Sequence, residues 1–247
     1  MKEIDRYIKP IKNHLKQLSS AAKAESSRRY FPAEIHCIGA TAADIKLVIA
    51  DFHLEHSELT ALDVLSVSEC LLEQAEFSEE TLVAFGLINK LVRNNYDESL
   101  LLRFEFWLEH YATNWSHVDD LCIKTIYQFL LARPHLIEKT QRWAHSKVSW
   151  CRRASNVVWV KFIRRPVERS VYCLDKALVF SNCDLLMRDK DEYVQKSNGW
   201  LLKVTSVHHL QDVIEYIEAN ASVMARPTIR YAIEKMDADT RKRLLSL

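Results

Sequence analysis

Apolar residues recur at spacings of three and four along nearly the whole chain, the period of amphipathic α-helices. Ile45, Val48, Ile49 and Phe52 repeat on one face behind Thr41, which predicts a helix over 42–53 with Thr41 as its N-cap. Leu59, Leu62, Leu65 and Val67 mark a helix over 57–74, and Leu82, Phe85, Leu87, Ile88 and Leu91 another that starts at Ser78. Asp97 leads the next, through Leu101, Leu102, Phe104, Leu108 and Tyr111. Helices are then predicted over 115–131, 134–145, 149–163, 167–180, 189–204, 207–218, 224–236 and 239–245. Pro134 and Pro166 stand where proline is tolerated, at helix starts.

The connections are about 2–6 residues, the range that joins antiparallel helical neighbours. Helix pairs recur with a period of roughly 35–40 residues, close to that of HEAT and armadillo repeats. Stacked pairs curve, so their inner helices line a concave groove. We therefore expect an all-α chain forming one solenoid domain over 1–247, with HEAT-like repeats over 31–247. Residues 1–30 are expected to form a basic helical arm, in which Lys9, Lys12, Lys16 and Lys23 interleave with Ile8, Ile11 and Leu15.

Composition agrees with helices. Three glycines and five prolines in 247 residues are too few for the turns of a sheet protein. No window approaches the roughly 18 uncharged apolar residues of a membrane span, and the charged start Met1-Lys2-Glu3-Ile4-Asp5-Arg6 is unlike a secretory signal. Cys37, Cys70, Cys122, Cys151, Cys173 and Cys183 form no CxxC pair, so they are read as reduced thiols acting as small hydrophobes. His53/His56 and His208-His209 lack ligand-spaced partners. Neither a metal site nor a cofactor is expected.

The net charge of +1 conceals a strong asymmetry. Residues 31–100 hold Lys46, Lys90 and Arg93 against thirteen acids, a balance of −10. Residues 142–169 hold Arg142, Lys147, Arg152, Arg153, Lys161, Arg164, Arg165 and Arg169 against Glu168 alone, a balance of +7. The first thirty residues add +5. Such a stripe suits a polyanion such as nucleic acid, or else a solvated surface bridged to the acidic section.

Three short stretches carry candidate chemistry. In Asn114-Trp115-Ser116-His117-Val118-Asp119-Asp120, Trp115 and Asp119 lie four residues apart on one helical face, with Cβ atoms roughly 6 Å apart. Asp120 lies about one hundred degrees around the helix, so the two carboxylates cannot serve one sugar as a paired acid and base. We read Asp120 as a structural hydrogen-bonding or salt-bridging residue. Trp150-Cys151-Arg152-Arg153 and Asn198-Gly199-Trp200 add guanidinium groups and a further indole. Trp107, Phe106, Trp143, Trp150 and Trp159 are read as core or repeat-packing residues.

Taken in order, these motifs resemble the AlkD-type DNA alkylation repair family. The resemblance runs from Glu79-Glu80-Thr81 and Gly86-Leu87-Ile88 through Asn114-Trp115 and Val118-Asp119-Asp120-Leu121 to Trp143-Ala144-His145-Ser146. It continues in Trp150-Cys151-Arg152-Arg153-Ala154, in Asp191, Val194, Lys196 and Gly199-Trp200, and in Arg230-Tyr231-Ala232-Ile233-Glu234-Lys235. It spans roughly residues 30–245 and implies a right-handed solenoid of HEAT-like repeats that grips duplex DNA in its concave groove. It also implies excision of 3-methyladenine- and 7-methylguanine-type bases.

The family's catalytic aspartate maps onto Asp119, its preceding aromatic onto Trp115, and its second cleft tryptophan onto Trp200. Its groove arginine maps onto Arg152 or Arg153. Lys147, Lys196, Arg164 and Arg165 are further candidates for the DNA backbone. The sequence departs from the family at Ser116, His117 and Cys122, and Gly39-Ala40-Thr41 lacks a proline usual in that run.

Such an enzyme needs no general acid, because an N3- or N7-alkylated purine is cationic and leaves as a neutral base. One ionised aspartate stabilises the oxocarbenium-like sugar and directs water to C1′. Indole faces attract the same charge by roughly 0.5–2 kcal/mol each. The expected partner is duplex DNA containing alkylated purines, met by a monomer in the cytoplasm and on the nucleoid, with no membrane. Two other readings fit the same pattern: a non-catalytic binder of bent, nicked or branched DNA, and a HEAT-like scaffold for an acidic partner protein.

Overall fold

The computed structural model describes residues 4–31, 35–167 and 170–247. The first three residues of the basic arm, Glu34 of the acidic section, and Glu168 and Arg169 of the basic stripe lie outside the described residues. Among those described, fourteen α-helices and one two-stranded hairpin account for the regular structure besides short π and 3-10 segments, so the all-α reading holds. The chain divides into two compact units, Met1–Phe129 and Leu130–Leu247. No helix among the described residues is long and apolar enough to cross a membrane.

The first unit opens with α1 (Asp5–Leu18) and α2 (Ala21–Arg28). The basic arm is thus two helices, and α1 is an integral part of the unit. It buries Tyr7, Ile8, Ile11 and Leu15, and packs on α3 (Ala42–Glu55) and α4 (Ala61–Glu73). Lys12 Nζ donates to the Gln74 carbonyl at 2.5 Å and lies 3.4 Å from the Glu80 carboxylate. Helices α3 and α4 each start with a reciprocal capping box, Thr41 with Asp44 and Thr60 with Asp63, which satisfies two orphan donors at each end. The second helix therefore begins at Ala61 rather than near Ser57, because the Thr60 box fixes the first turn there.

Helices α5 (Ser78–Leu87), α6 (Leu100–His110) and α7 (Trp115–Asp120) follow. Phe85, Phe104, Trp107 and Leu108 are fully buried between them, so Trp107 is core as expected. Phe106 is not core: it is 48% exposed and stacks on His110 with ring centroids 4.0 Å apart.

The helix predicted over 115–131 is continuous but irregular. After α7 the chain widens into a π-helical segment, Leu121–Ile126, before α8 (Tyr127–Leu131). Thr125 Oγ1 donates to the Phe85 carbonyl at 2.8 Å and accepts from Asn89 Nδ2 at 3.2 Å.

The second unit starts with 3-10 segments at Pro134–Leu136 and Glu138–His145, where an α-helix was expected. Helix α9 (Ser149–Val157) follows, ending six residues earlier than its apolar pattern suggests. A larger correction concerns 167–180. Arg164–Val167 (β1) pairs antiparallel with Ser170–Cys173 (β2), and Pro166 faces Val171. Pro166 therefore sits in a strand, not at a helix start. Both strands are edges, so its missing N–H is tolerated, and Val171 and Tyr172 favour the extended backbone. The helix waits for Asp175, whose carboxylate accepts the Ala177 amide at 2.8 Å and opens α10 (Lys176–Leu186).

Helices α11 (Glu192–Ser206), α12 (Leu210–Asn220), α13 (Arg226–Ala232) and α14 (Ala238–Leu245) complete the unit. Trp143 and Trp159 are fully buried, and Trp159 Nε1 donates to the Ile137 carbonyl at 3.0 Å. A buried amide layer joins α9, α10 and α11. Asn156 Nδ2 donates to Ser197 Oγ (2.9 Å) and Asn198 Oδ1 (2.6 Å), while Asn182 Nδ2 donates to Asn156 Oδ1 (2.7 Å).

One spacing recurs inside both units. His53 meets the Leu87 carbonyl, Ser78 meets His117, Arg153 meets the Tyr193 carbonyl and Lys176 meets Asp212, across 34 to 40 residues. Each of these bonds joins a helix or helix end to its counterpart one predicted repeat later.

Candidate active site

Helix α7 begins because Asn114, in extended conformation, accepts the His117 amide on its side-chain oxygen at 3.1 Å. Trp115 is therefore the first helical residue. Its indole is half-buried and stacks on Phe31, which follows α2, with centroids 5.3 Å apart and planes 27° apart. Asp119 comes one turn later and is also half-buried. Helical spacing sets both on one face.

Asp120 is occupied elsewhere: its carboxylate forms an ion pair with Lys124 across the next turn. Burial raises the Asp120 pKa, and the hydrogen bond and charge of Lys124 oppose that shift.

His117, one of the departures from the family pattern, is a structural tie. It is 1% exposed. Its Nδ1 accepts the Thr113 amide at 3.3 Å, which leaves Nε2–H to donate to the Ser78 carbonyl at 3.1 Å. Ser78 Oγ lies 2.7 Å from the same nitrogen. The start of α7 is thereby fixed to the start of α5. Burial lowers the His117 pKa to about 4, against the raising effect of its backbone partners, so the ring is neutral.

In the second unit, the two arginines of the Trp150 motif have separate internal partners. Arg152 Nε and Nη2 donate to the two oxygens of Asp189 at 2.5 and 3.1 Å. Its Nη1 donates to the Ser146 and Lys147 carbonyls, each at 3.0 Å. Four of its five N–H groups are used, so it has no fork left for a phosphate. Burial disfavours the Asp189 carboxylate, but the hydrogen bonds from Arg152 and Asp191 and the Arg152 charge outweigh it and hold the pKa low. Arg153 is 5% exposed, and its Nη1 donates to the Tyr193 carbonyl at 2.6 Å.

Helix α11 carries Tyr193, Lys196 and Trp200 at spacings that share one face. The Tyr193 ring lies 5.5 Å from Trp150, and the Lys196 ammonium sits 4.5 Å from the Tyr193 centroid while bonding Glu192 at 2.7 Å. Trp200 is half-buried. Beside it, Gly199 lets α13 come close: a Cβ there would lie 2.8 Å from the Thr228 carbonyl oxygen and from Tyr231 Cβ. Trp150 is half-buried against Tyr193, unlike the fully buried Trp143 and Trp159.

Residues 11–236 match the family model described as DNA alkylation repair enzyme. The chain belongs to the DNA alkylation repair enzyme family. In structure it is similar to a protein from Enterococcus faecalis described as a predicted DNA alkylation repair enzyme. That likeness has a TM-score of 0.75 and covers 89% of this chain and 97% of the other, at 15% identity. The chain matches no curated protein sequence.

For a DNA alkylation repair enzyme, the remaining expected backbone contacts are differently placed. Lys147 is exposed just ahead of α9, and Arg164 and Arg165 are exposed on β1, where a connection between two helices was expected. Sequence reasoning missed three residues that organise this family member: Glu79, His117 and Asp189. The sequence marked Glu79 only as part of a family motif and His117 only as a departure from one, and neither mark indicated the long-range bond each makes.

Proposed function

We propose that this family member is a monofunctional DNA glycosylase of the AlkD type, which excises cationic N3- and N7-alkylpurines from duplex DNA and leaves abasic sites. The observation that carries the reading is the start of α7. Trp115 and Asp119 share a face, both are half-exposed, and the helix start beneath them is fixed by Asn114 and His117.

The chemistry needs one ionised carboxylate. A 3-methyladenine or 7-methylguanine base departs neutral as the C1′–N bond breaks, and the positive charge moves to the sugar. Asp119 stabilises that charge, accepts a hydrogen bond from the incoming water and orients it toward C1′. The Trp115 face adds cation–π attraction. The same resemblance gives Trp200 the role of second indole. A general acid is superfluous here, which agrees with Asp120 being tied to Lys124.

The expected phosphate role of Arg152 changes, because its Asp189 pair occupies the fork. Lys147, Lys196, Arg164 and Arg165 keep the role of backbone contacts in this proposal, with Arg153 inside the helix pair. The bonds that recur across 34 to 40 residues support a solenoid of HEAT-like repeats. A monomer acting in the cytoplasm and on the nucleoid completes the proposal.

The deciding experiment is single-turnover release of 7-methylguanine and 3-methyladenine from methylated duplex, wild type beside Asp119→Asn. Release by wild type and loss in the variant is the expected result. No release by wild type, with salt-sensitive duplex binding intact, would replace the glycosylase by a structure-specific DNA binder.

A further inference from the structure

Between the loop that precedes α11 and the start of α13 lies an open cleft of ≈400 Å³. Arg188, Lys190 and Lys196 line it, with Gln195, Val223 and Pro227. Two acids also line it, but both are neutralised locally: Asp189 by Arg152 and Glu192 by Lys196. Arg188 and Lys190 are exposed, and among the described residues neither has a carboxylate partner. The cleft therefore keeps two uncompensated positive charges.

The loop that carries them is held from three sides. The Gln195 amide, nine-tenths buried, donates to the carbonyls of Leu186 (3.2 Å), Met187 (2.7 Å) and Asp189 (3.0 Å). Thr228 Oγ1, on α13, donates to the Gln195 carbonyl at 3.0 Å and lies 3.2 Å from its Oε1. The Asp189 carboxylate is gripped by Arg152 and accepts the Asp191 amide at 2.9 Å. Asp191 in turn caps α11, accepting the Tyr193 and Val194 amides, so the helix end has no strong call on an added anion.

From this arrangement we propose that the loop Met187–Lys190 is a preorganised clamp for a nucleic-acid phosphate, with Arg188 and Lys190 as its direct contacts. Arg152 and Asp189 act as positioning residues that hold the loop, and Arg152 itself does not touch the phosphate. The clamp rests on the DNA reading given above. A fixed backbone suits this task, since cations already held in place lose less freedom when the polyanion binds.

The test is titration of unmodified duplex across a salt series, run beside base release from methylated duplex at saturating protein. Arg188→Ala with Lys190→Ala should weaken binding at low salt by tenfold or more. It should also reduce the magnitude of the slope of log K against log salt by about one, at roughly 0.9 per phosphate lost. Base release by the wild type at saturation reads the glycosylase activity separately from the clamp. Wild-type affinity and slope in this double variant would overturn the clamp while leaving the glycosylase reading intact. Absence of salt-dependent duplex binding by the wild type would overturn both.

Asp189→Asn tests the positioning. It makes the protein one unit more positive, yet binding should weaken because the loop is released. Tighter binding would identify Arg152 as the phosphate ligand and Asp189 as its competitor. Should that variant not fold, the paired alanine variants decide the matter from exposed positions.

Discussion

The Glu79 carboxylate holds Gly39: its Oε1 accepts the Gly39 amide at 2.9 Å and the Ala40 amide at 3.3 Å, while Oε2 accepts Ile38 at 3.0 Å. Gly39 has φ +92°, and a Cβ there would lie 2.1 Å from the Ser20 carbonyl oxygen and 2.7 Å from the Ala24 nitrogen. One buried acid and one glycine therefore set the path from α2 to α3. That path fixes where α2 runs, and the chain leaving α2 supplies Phe31 to the Trp115 stack.

Glu79→Gln should cost about 2–3 kcal/mol, since it sets an amide N–H against buried main-chain donors. Gly39→Ala should cost at least as much, through forced left-handed backbone and steric overlap. Urea denaturation of both variants measures the effect, and losses under about 0.5 kcal/mol would show that the loop is not under this control.

His117 gives the fold an acid limb. Its folded pKa of about 4 lies below the ordinary 6.5, so the unfolded chain binds the extra proton first. Its contribution is fully present above about pH 6.5, falls as pH drops from 6.5 toward 4, and reaches roughly 3 kcal/mol lost. His117→Gln keeps an acceptor and a donor without titrating. Chemical denaturation at a series of pH values should give a flatter curve for this variant between pH 6.5 and 4, whatever its stability at pH 7.

Asp119→Asn should keep duplex affinity within a few-fold while base release falls about a hundredfold or more, the scale of one positioned charge in a transition state. Full release by this variant would remove Asp119 from the mechanism. Measuring affinity and single-turnover rate on the same duplex separates the two effects.

Trp200→Ala should lower release more than binding, and an equal loss in both would reduce the indole to packing. Gly199→Ala provides the companion case. Its added methyl must push α13 away from α11, which should destabilise the protein by about 1–3 kcal/mol and displace Trp200. The variant should lose release without losing any group that touches DNA. Thermal melting alongside the release assay reads both consequences.

The helices themselves were legible in the sequence because their signals are local. Thr41 announces a helix start through a bond to an amide three residues away, and the apolar phase of α3 to α6 follows from spacing along one chain. The 115–131 segment reads as one helix for the same reason, since a π turn leaves the hydrophobic pattern almost unchanged and is revealed only by its bond pattern. The hairpin at 164–173 was hidden because Pro166 has two permitted settings, a helix start and an edge strand, and its neighbours in space choose between them.

Sequence alone determined the helical class, the helical spacing of Trp115 and Asp119, and membership of the DNA alkylation repair enzyme family. Those features depend on backbone geometry over at most a few turns, or on order along the chain. Tertiary structure alone decided what each polar side chain does. Asp189 reaches Arg152 from 37 residues away, Glu79 reaches Gly39 across 40, and His117 reaches Ser78 across 39. A charge or imidazole has the same letter whether it faces solvent, a phosphate or a buried amide. Its role is set by which partner the folded chain brings within hydrogen-bonding distance.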